Sequence, residues 1–98
     1  MSELFDHAVA YVSAGTTARG VTSDAQKLLM YAYYKQATQG DAPTKSLAGY
    51  FDFVGQRKHD AWSRQRGLDP MTARSRYVAM LDRTAPEWRS KLLHPAQA

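Results

Sequence analysis

The sequence contains no cysteine, which excludes a disulfide framework, a thiolate nucleophile and a zinc site built on sulfur. It also lacks any apolar run near the roughly 18 residues that a membrane-spanning helix needs. The amino end has no cationic start followed by an apolar stretch, the pattern of a secretory signal. We therefore expect a soluble cytoplasmic protein.

Motifs of catalysis and metal binding are missing as well. No Gly-x-Ser-x-Gly elbow and no His-x-x-x-His pair occurs, and the three histidines, His7, His59 and His94, lie far apart in the chain. Nothing in the sequence joins a histidine to a nucleophile. The sequence therefore predicts that the protein is not an enzyme and holds no metal or cofactor.

The residues that are present describe one small basic domain. The 98 residues are 44% hydrophobic and 22% charged, so we expect a single globular domain over residues 1–98. Thirteen lysines and arginines against nine acidic residues give a net charge of +4. This charge favours an anionic partner, which could be nucleic acid, an acidic membrane or a phosphorylated small molecule.

Hydrophobic spacing predicts two helices in the first half of the chain. The first carries an apolar stripe from Leu4 to Val12, with Ser2 as its N-cap, and a glycine- and threonine-rich loop over residues 13–22 follows it. The second begins with a capping box at Ser23 and runs to about residue 39, where Gly40 provides its C-cap.

Two further helices and a final helical turn are predicted in the second half of the chain. The third helix should span about Gly55 to Arg66 after a long connection from Asp41 to about Val54. Asp69 and Pro70 form a typical start for the fourth helix. We expect that helix to break near residues 84 and 85, with a last turn that includes Trp88, Leu92 and Leu93.

The second helix carries an unusual face of phenolic and cationic side chains. Tyr31, Tyr34, Lys35 and Thr38 recur at i, i+3, i+4 and i+7 and therefore share one side of the helix. Tyrosine offers a stacking surface and a hydroxyl donor, and lysine supplies the point charge that a phosphate needs. Such a stripe suits an aromatic, phosphorylated ligand, although half-buried packing is the more common role of a tyrosine stripe taken alone.

A second cluster follows on the third helix, where Lys58 precedes an Asp-Ala-Trp turn that ends at Trp62. Together, the Tyr-Lys-Gln-Ala-Thr run from Tyr34, the Gly40-Asp41 pair and this cluster closely resemble the acyl-CoA-binding protein family. The resemblance covers the chain from about Phe5 to Leu81. It implies an all-α, four-helix bundle of that family's type, up-down-down-up, with a long loop between helices 2 and 3.

The resemblance also implies a function and a set of contacts. The protein would be a monomer that binds one medium- to long-chain acyl-CoA ester for pool formation and transport, without cofactor or chemistry. The family's 3'-phosphate anchors match Tyr31, Lys35 and Lys58, and its nucleotide contacts match Tyr34 and Tyr77. The remaining implied ligand contacts are Leu28, beside the adenine and acyl groove, and Phe5, Ala8 and Val9, at the acyl end. We expect Trp62 to be a structural core residue and not a ligand contact.

Three positions depart from the common family pattern. Ser13 and Val54 stand where the family often has lysine, and His59 replaces an aromatic residue before the Asp-Ala-Trp turn. These changes leave the residues that match the phosphate anchors in place. We expect the differences from the family to concern the contacts to the pyrophosphate and the preferred length of the acyl chain.

A small basic nucleic-acid binder is the alternative from another class, because Arg57, Arg64 and Arg66 add positive charge to the third helix. A helix-turn-helix needs a turn of about three or four residues, whereas fourteen residues separate Gly40 from Gly55. We therefore predict no nucleic-acid partner. Transient contact with membranes, or with enzymes that use acyl-CoA, is compatible with the resemblance.

Overall fold

The computed structural model describes residues 2–14, 23–46 and 48–93. The elements are α1 (Ser2–Ser13), α2 (Asp24–Gln39), α3 (Phe53–Ser63), α4 (Pro70–Thr84) and α5 (Trp88–Leu93). These residues contain no strand, so the predicted all-α class is confirmed. The first four helices form the bundle, and a long connection joins α2 to α3 as predicted. No described helix has the length and apolar character required to cross a bilayer.

The boundaries of α2 follow the sequence prediction. The Ser23 hydroxyl accepts a hydrogen bond from Gln26 N at 3.1 Å, and Gln26 Oε1 accepts one from Ser23 N at 2.9 Å. At the other end Gly40 adopts φ 79° and ψ −149°, a region that essentially only glycine occupies. The predicted capping box and glycine stop are therefore both confirmed.

The start of α1 corrects a prediction. The helix begins at Ser2 itself, so Ser2 is its first helical residue and not the N-cap that precedes it. Ser13 belongs to α1 instead of opening a loop. Residues 15–22 of that predicted loop lie outside the described residues.

The ends of α3 also differ from the prediction. The helix starts at Phe53, two residues before Gly55, because the Asp52 carboxylate caps it by accepting a hydrogen bond from Gly55 N at 2.8 Å. It ends at Ser63, since Arg66 N turns to the carbonyl of Ser63 at 3.1 Å and breaks the i to i+4 pattern. The predicted end at Arg66 was therefore wrong.

The start and end of α4 are as predicted. Asp69 accepts hydrogen bonds from Thr72 N at 3.0 Å and from Thr72 Oγ1 at 2.6 Å, and Pro70 is the first helical residue. The helix ends at Thr84, after which α5 begins at Trp88. The Trp88 indole is buried and donates a hydrogen bond to Asp82 Oδ1 at 2.8 Å, which fastens α5 against α4.

The core lies between α1, α2 and α4, since α4 packs against both α1 and α2. The helix α3 packs against the other side of α2. Its largest fully buried side chains are Trp88, Leu81 and Gln36. Other buried members include Phe5, Ala8, Met30, Ala37, Ala73, Tyr77, Val78, Met80 and Ala85. The buried apolar positions of α4 follow the helical period, as expected for a helix with one face in the core.

A hydrogen-bonded junction around Asp41 ties the end of α2 to the turn between α3 and α4. Gln36 is 1% exposed, and its Nε2 donates to Asp41 Oδ1 at 2.7 Å and to Leu68 O at 3.0 Å. Gly67 N donates to the same Asp41 Oδ1 at 2.8 Å. We call these contacts the Asp41 junction. They hold the pKa of the Asp41 carboxyl below its usual value, chiefly through the Gly67 and then the Gln36 hydrogen bond.

Trp62 adds a second tie between α2 and α3. Its side chain is buried, in agreement with the core role predicted for it, and its Nε1 donates to the carbonyl of Gly40 at 2.8 Å. Asp60, two residues before Trp62, is exposed and forms an ion pair with Arg64 at 2.9 Å. Asp60 is thus a surface partner within α3.

We predict that Asp41→Ala destabilises the protein at neutral pH, with a difference from the parent that shrinks under acidic conditions. Because the folded-state pKa of Asp41 is lowered, its stabilising contribution is present above the unfolded value of 3.8 and is lost as the pH falls through the folded-state pKa. Urea unfolding midpoints across this range measure the effect. The exposed Asp6→Ala variant is the control, and a constant Asp41→Ala difference down to the lowest pH would contradict the prediction.

Candidate ligand-binding site

A cavity of about 480 Å³ lies between α1, α2 and α4. All three predicted site tyrosines, Tyr31, Tyr34 and Tyr77, line it together with Val9 of α1. We call it the central cavity. Its remaining lining residues are Val12, Ser13, Lys27, Met30 and Thr84. The structure therefore brings four of the nine predicted contacts into one cavity.

Aromatic contacts fix the inner wall of the central cavity. The Phe5 ring meets Tyr77 edge to face at a centroid distance of 5.3 Å and stacks on Tyr34 at 6.4 Å. Burial, with a smaller contribution from the nearby Tyr34, raises the pKa of Tyr77 to about 12. Tyr77 therefore keeps its hydroxyl proton near neutral pH and can donate it to a ligand oxygen.

A second cavity, of about 260 Å³, lies between α2, the α2–α3 connection and α3. Tyr31, Lys35 and Lys58, the predicted phosphate anchors, all line it. We call it the lysine cavity. Because Tyr31 lines both cavities, they adjoin at this ring. The lysine cavity is also bounded by Pro43, Ser46, Ala48, Asp52, Gly55, His59 and Trp62.

Both lysines lie against aromatic rings. Lys58 Nζ is 5.3 Å from the centroid of the Tyr31 ring, and Lys35 Nζ is 4.8 Å from that of Trp62. Within the described part of the chain neither ammonium group is paired with a carboxylate. Asp52 also lines this cavity, but its Oδ1 is engaged with Gly55 N. The cavity thus presents two positive charges suited to an anion.

His59 braces the rim of the lysine cavity. Its Nε2 lies 2.8 Å from the carbonyl oxygen of Pro43. Since a carbonyl can only accept a hydrogen bond, Nε2 is the donor in this contact. The imidazole therefore fastens the connection to α3, a contact across sixteen positions of sequence that gives this departure from the family pattern a structural role.

Three predicted contacts do not line either cavity. Leu28 is half-buried and lines a separate depression between α2 and α3, with Arg57 and Ala61 on the opposite side. Ala8 is fully buried and Phe5 nearly so, because α1 packs this face against α4. Phe5 lines a further depression with Leu4 and Met71, and the contact predicted for Phe5 and Ala8 with the acyl end stays a prediction.

Sequence reasoning missed Lys27 and Met30, which line the central cavity. The spacing contained a signal for Lys27, since it lies four residues before Tyr31 and seven before Tyr34 on the same helical face. Ser13 lies in the same cavity wall. Lys27 thus brings a cation to the cavity in which Ser13 replaces the lysine common in the family.

Comparison with known proteins agrees with this architecture. A family model described as acyl CoA binding protein matches residues 2–81. An acyl-CoA-binding protein homolog of Manduca sexta is 34% identical over 82 residues, which cover 84% of this chain and 88% of that protein. The solution structure of an acyl CoA binding protein from Babesia bovis superposes with a TM-score of 0.71 at 41% identity, covering 87% of this chain and 93% of that one.

Longer proteins match as well. The enoyl-CoA delta isomerase 2 of Rattus norvegicus is 47% identical over 55 residues, which cover 56% of this chain but only 14% of that protein. Several other curated relatives are longer than this chain, which spans about 30% of their length.

We predict that Tyr77→Phe reduces the fall in unfolding free energy that the protein shows as the pH rises into the alkaline range. The folded-state pKa of Tyr77 is raised from 10.0 to about 12, so its contribution is fully present below the unfolded value and is lost as the pH rises through the folded one. The parent protein should therefore lose more unfolding free energy than the variant between these two values. Denaturant titrations over this range measure it, and parallel curves would contradict the assignment.

Proposed function

Since the chain belongs to the acyl-CoA-binding protein family, we propose that it binds one medium- to long-chain acyl-CoA ester per monomer, without chemistry, for cytoplasmic pool formation and transport. The observation that carries this proposal is the lysine cavity, in which the unneutralised Lys35 and Lys58 flank Tyr31. An anionic group is the ligand that such a cavity favours.

The 3'-phosphate of the nucleotide is the anion that fits this cavity in the proposal. Each charge-assisted hydrogen bond from Lys35, Lys58 or the Tyr31 hydroxyl could contribute roughly 1.5 to 3 kcal/mol. The Trp62 ring holds the Lys35 ammonium group near the cavity before a ligand arrives, and the Tyr31 ring does the same for Lys58. Less side-chain freedom is therefore lost on binding than with freely mobile lysines.

The rest of the nucleotide would extend from this anchor past Tyr31 into the central cavity. Tyr34 is the partly exposed ring there, available to an aromatic base. Tyr77 offers a hydroxyl that stays protonated, and Lys27 offers a further cation for phosphate oxygens. Every group in this set binds or orients, which supports a carrier and not a catalyst.

The acyl chain would occupy apolar surface next to the nucleotide. Val9 and Met30 provide such surface in the central cavity, and Leu28 provides it in the depression between α2 and α3. Each methylene removed from water adds about 0.8 kcal/mol. Affinity should therefore rise with chain length until this surface is covered.

Calorimetric titration with acyl-CoAs of increasing length, beside free coenzyme A and free fatty acid, tests the proposal. We expect one-to-one binding that needs both halves of the ligand and that strengthens with chain length to a plateau. Absence of binding across the series would overturn the proposal. Salt-dependent binding of random-sequence DNA in its place would favour the nucleic-acid class.

We further predict that Lys35→Ala and Lys58→Ala each weaken acyl-CoA binding at least tenfold, about 1.4 kcal/mol. Both variants should fold, because each lysine reaches the surface of the lysine cavity and neither has an ion-pair partner there. Lys91→Ala, which removes an exposed lysine of α5, is the matched control and should bind as the parent does. Unchanged affinity in both lysine-cavity variants would refute the anchor assignment.

A further inference from the structure

The start of α3 exposes an unusual amount of apolar surface. Tyr50, Phe51, Phe53 and Val54 are 83%, 79%, 65% and 63% exposed, and Asp52 alone interrupts the run. The Tyr50 and Phe51 rings meet edge to face at 4.9 Å, so they form one protruding aromatic pair. We call residues 50–54 the aromatic tip. Contiguous exposed apolar side chains of this kind are typical of a surface that contacts a protein partner or a membrane.

The backbone of the aromatic tip carries its own hydrogen bonds. Asp52 N donates to Gly49 O at 2.9 Å, and Phe53 N donates to Phe51 O at 3.1 Å. Gln56 Nε2 donates to Gly49 O at 3.1 Å and to Tyr50 O at 3.0 Å. Carbonyl groups that already have partners can leave water at lower cost. The paired backbone therefore lowers the cost of placing this loop at the boundary of a lipid bilayer.

The charges around the aromatic tip are predominantly positive. Arg57 and Lys58 lie one helical turn after Phe53 and Val54, and Lys45 precedes the tip in the connection. Asp52 is the single acidic residue between Lys45 and Lys58, and it caps α3 through Gly55 N. Exposed aromatic side chains next to lysine and arginine are typical of segments that lie at an anionic membrane surface.

We propose that the aromatic tip docks on anionic lipid bilayers, with Tyr50 and Phe51 at the boundary between headgroups and acyl chains. Lys45, which lines neither the central cavity nor the lysine cavity, would then face the lipid phosphates. A second copy of this chain is a poorer occupant, because two tips would bring surfaces of the same positive sign together. This membrane contact goes beyond acyl-CoA binding and does not require it, so the two can fail separately.

The absence of cysteine permits a direct test of depth at single positions. Phe51→Cys and, as the control, Met71→Cys on α4 are each labelled with an environment-sensitive nitrobenzoxadiazole probe; Met71 is 50% exposed outside the tip. Vesicles contain phosphatidylcholine with about one third phosphatidylglycerol, or phosphatidylcholine alone. We expect a blue shift and a rise in emission at position 51 with the anionic vesicles only. Equal responses at both positions, or none at position 51, would overturn the proposal.

Unlabelled variants measure the contribution of the tip to binding. The double variant Tyr50→Ser/Phe51→Ser should weaken vesicle co-sedimentation at least tenfold, whereas Met71→Ser should not change it. Lys45→Glu should weaken binding to the anionic vesicles. Circular dichroism and an acyl-CoA titration of each variant confirm that the fold and the ligand site are intact. Undiminished vesicle binding by the double variant, or self-association of the parent that the double variant abolishes, would refute the lipid assignment.

Discussion

The carboxylate of Asp41 is the contact on which the geometry of the site depends. It accepts hydrogen bonds from Gln36 of α2 and from Gly67 in the turn after α3, so one side chain fixes where two helices end relative to each other. The Trp62 indole then spans from α3 to the carbonyl of Gly40. Because Lys35 lies over that indole, the same contacts determine where its ammonium group lies in the lysine cavity.

Tyr31 extends this organisation from the charged half of the site to the aromatic half. Its ring is the neighbour of Lys58 Nζ and also lines the central cavity with Tyr34 and Tyr77. A ligand with an anionic group and an aromatic group separated by a short linker could therefore use both cavities at once. Phe5 packs against Tyr34 and Tyr77 from within the core and so supports the rings that line the central cavity.

Local chemistry allowed much of the fold to be predicted from the sequence. The Ser23 capping box and the break after Thr84 each depend on neighbouring residues only, and both are confirmed. The start of α3 was predicted wrongly because Gly55 was taken as the beginning of the helix. The actual N-cap is Asp52, so Gly55 lies inside the first turn. A helix end set by a local side-chain bond is recoverable from sequence, provided that every candidate cap is considered.

The cavities depend on packing between distant segments, which a single sequence does not reveal. The face that Tyr31 and Lys35 share follows from helical spacing, but the burial of Ala8 depends on how α1 meets α4. The wall formed by His59 and the connection requires a contact across sixteen positions. Leu28 likewise lines its depression because α3 packs there.

The pairing of Lys35 with Trp62 gives the molecule an optical property. An ammonium group 4.8 Å from an indole centroid perturbs the emission of that indole, and an anion entering the lysine cavity would draw the charge away from the ring. The other tryptophan, Trp88, is 1% exposed and packs with α1 and α4, away from this cavity. Changes in tryptophan emission on ligand binding would therefore originate chiefly at Trp62, so the unlabelled protein carries its own reporter of occupancy.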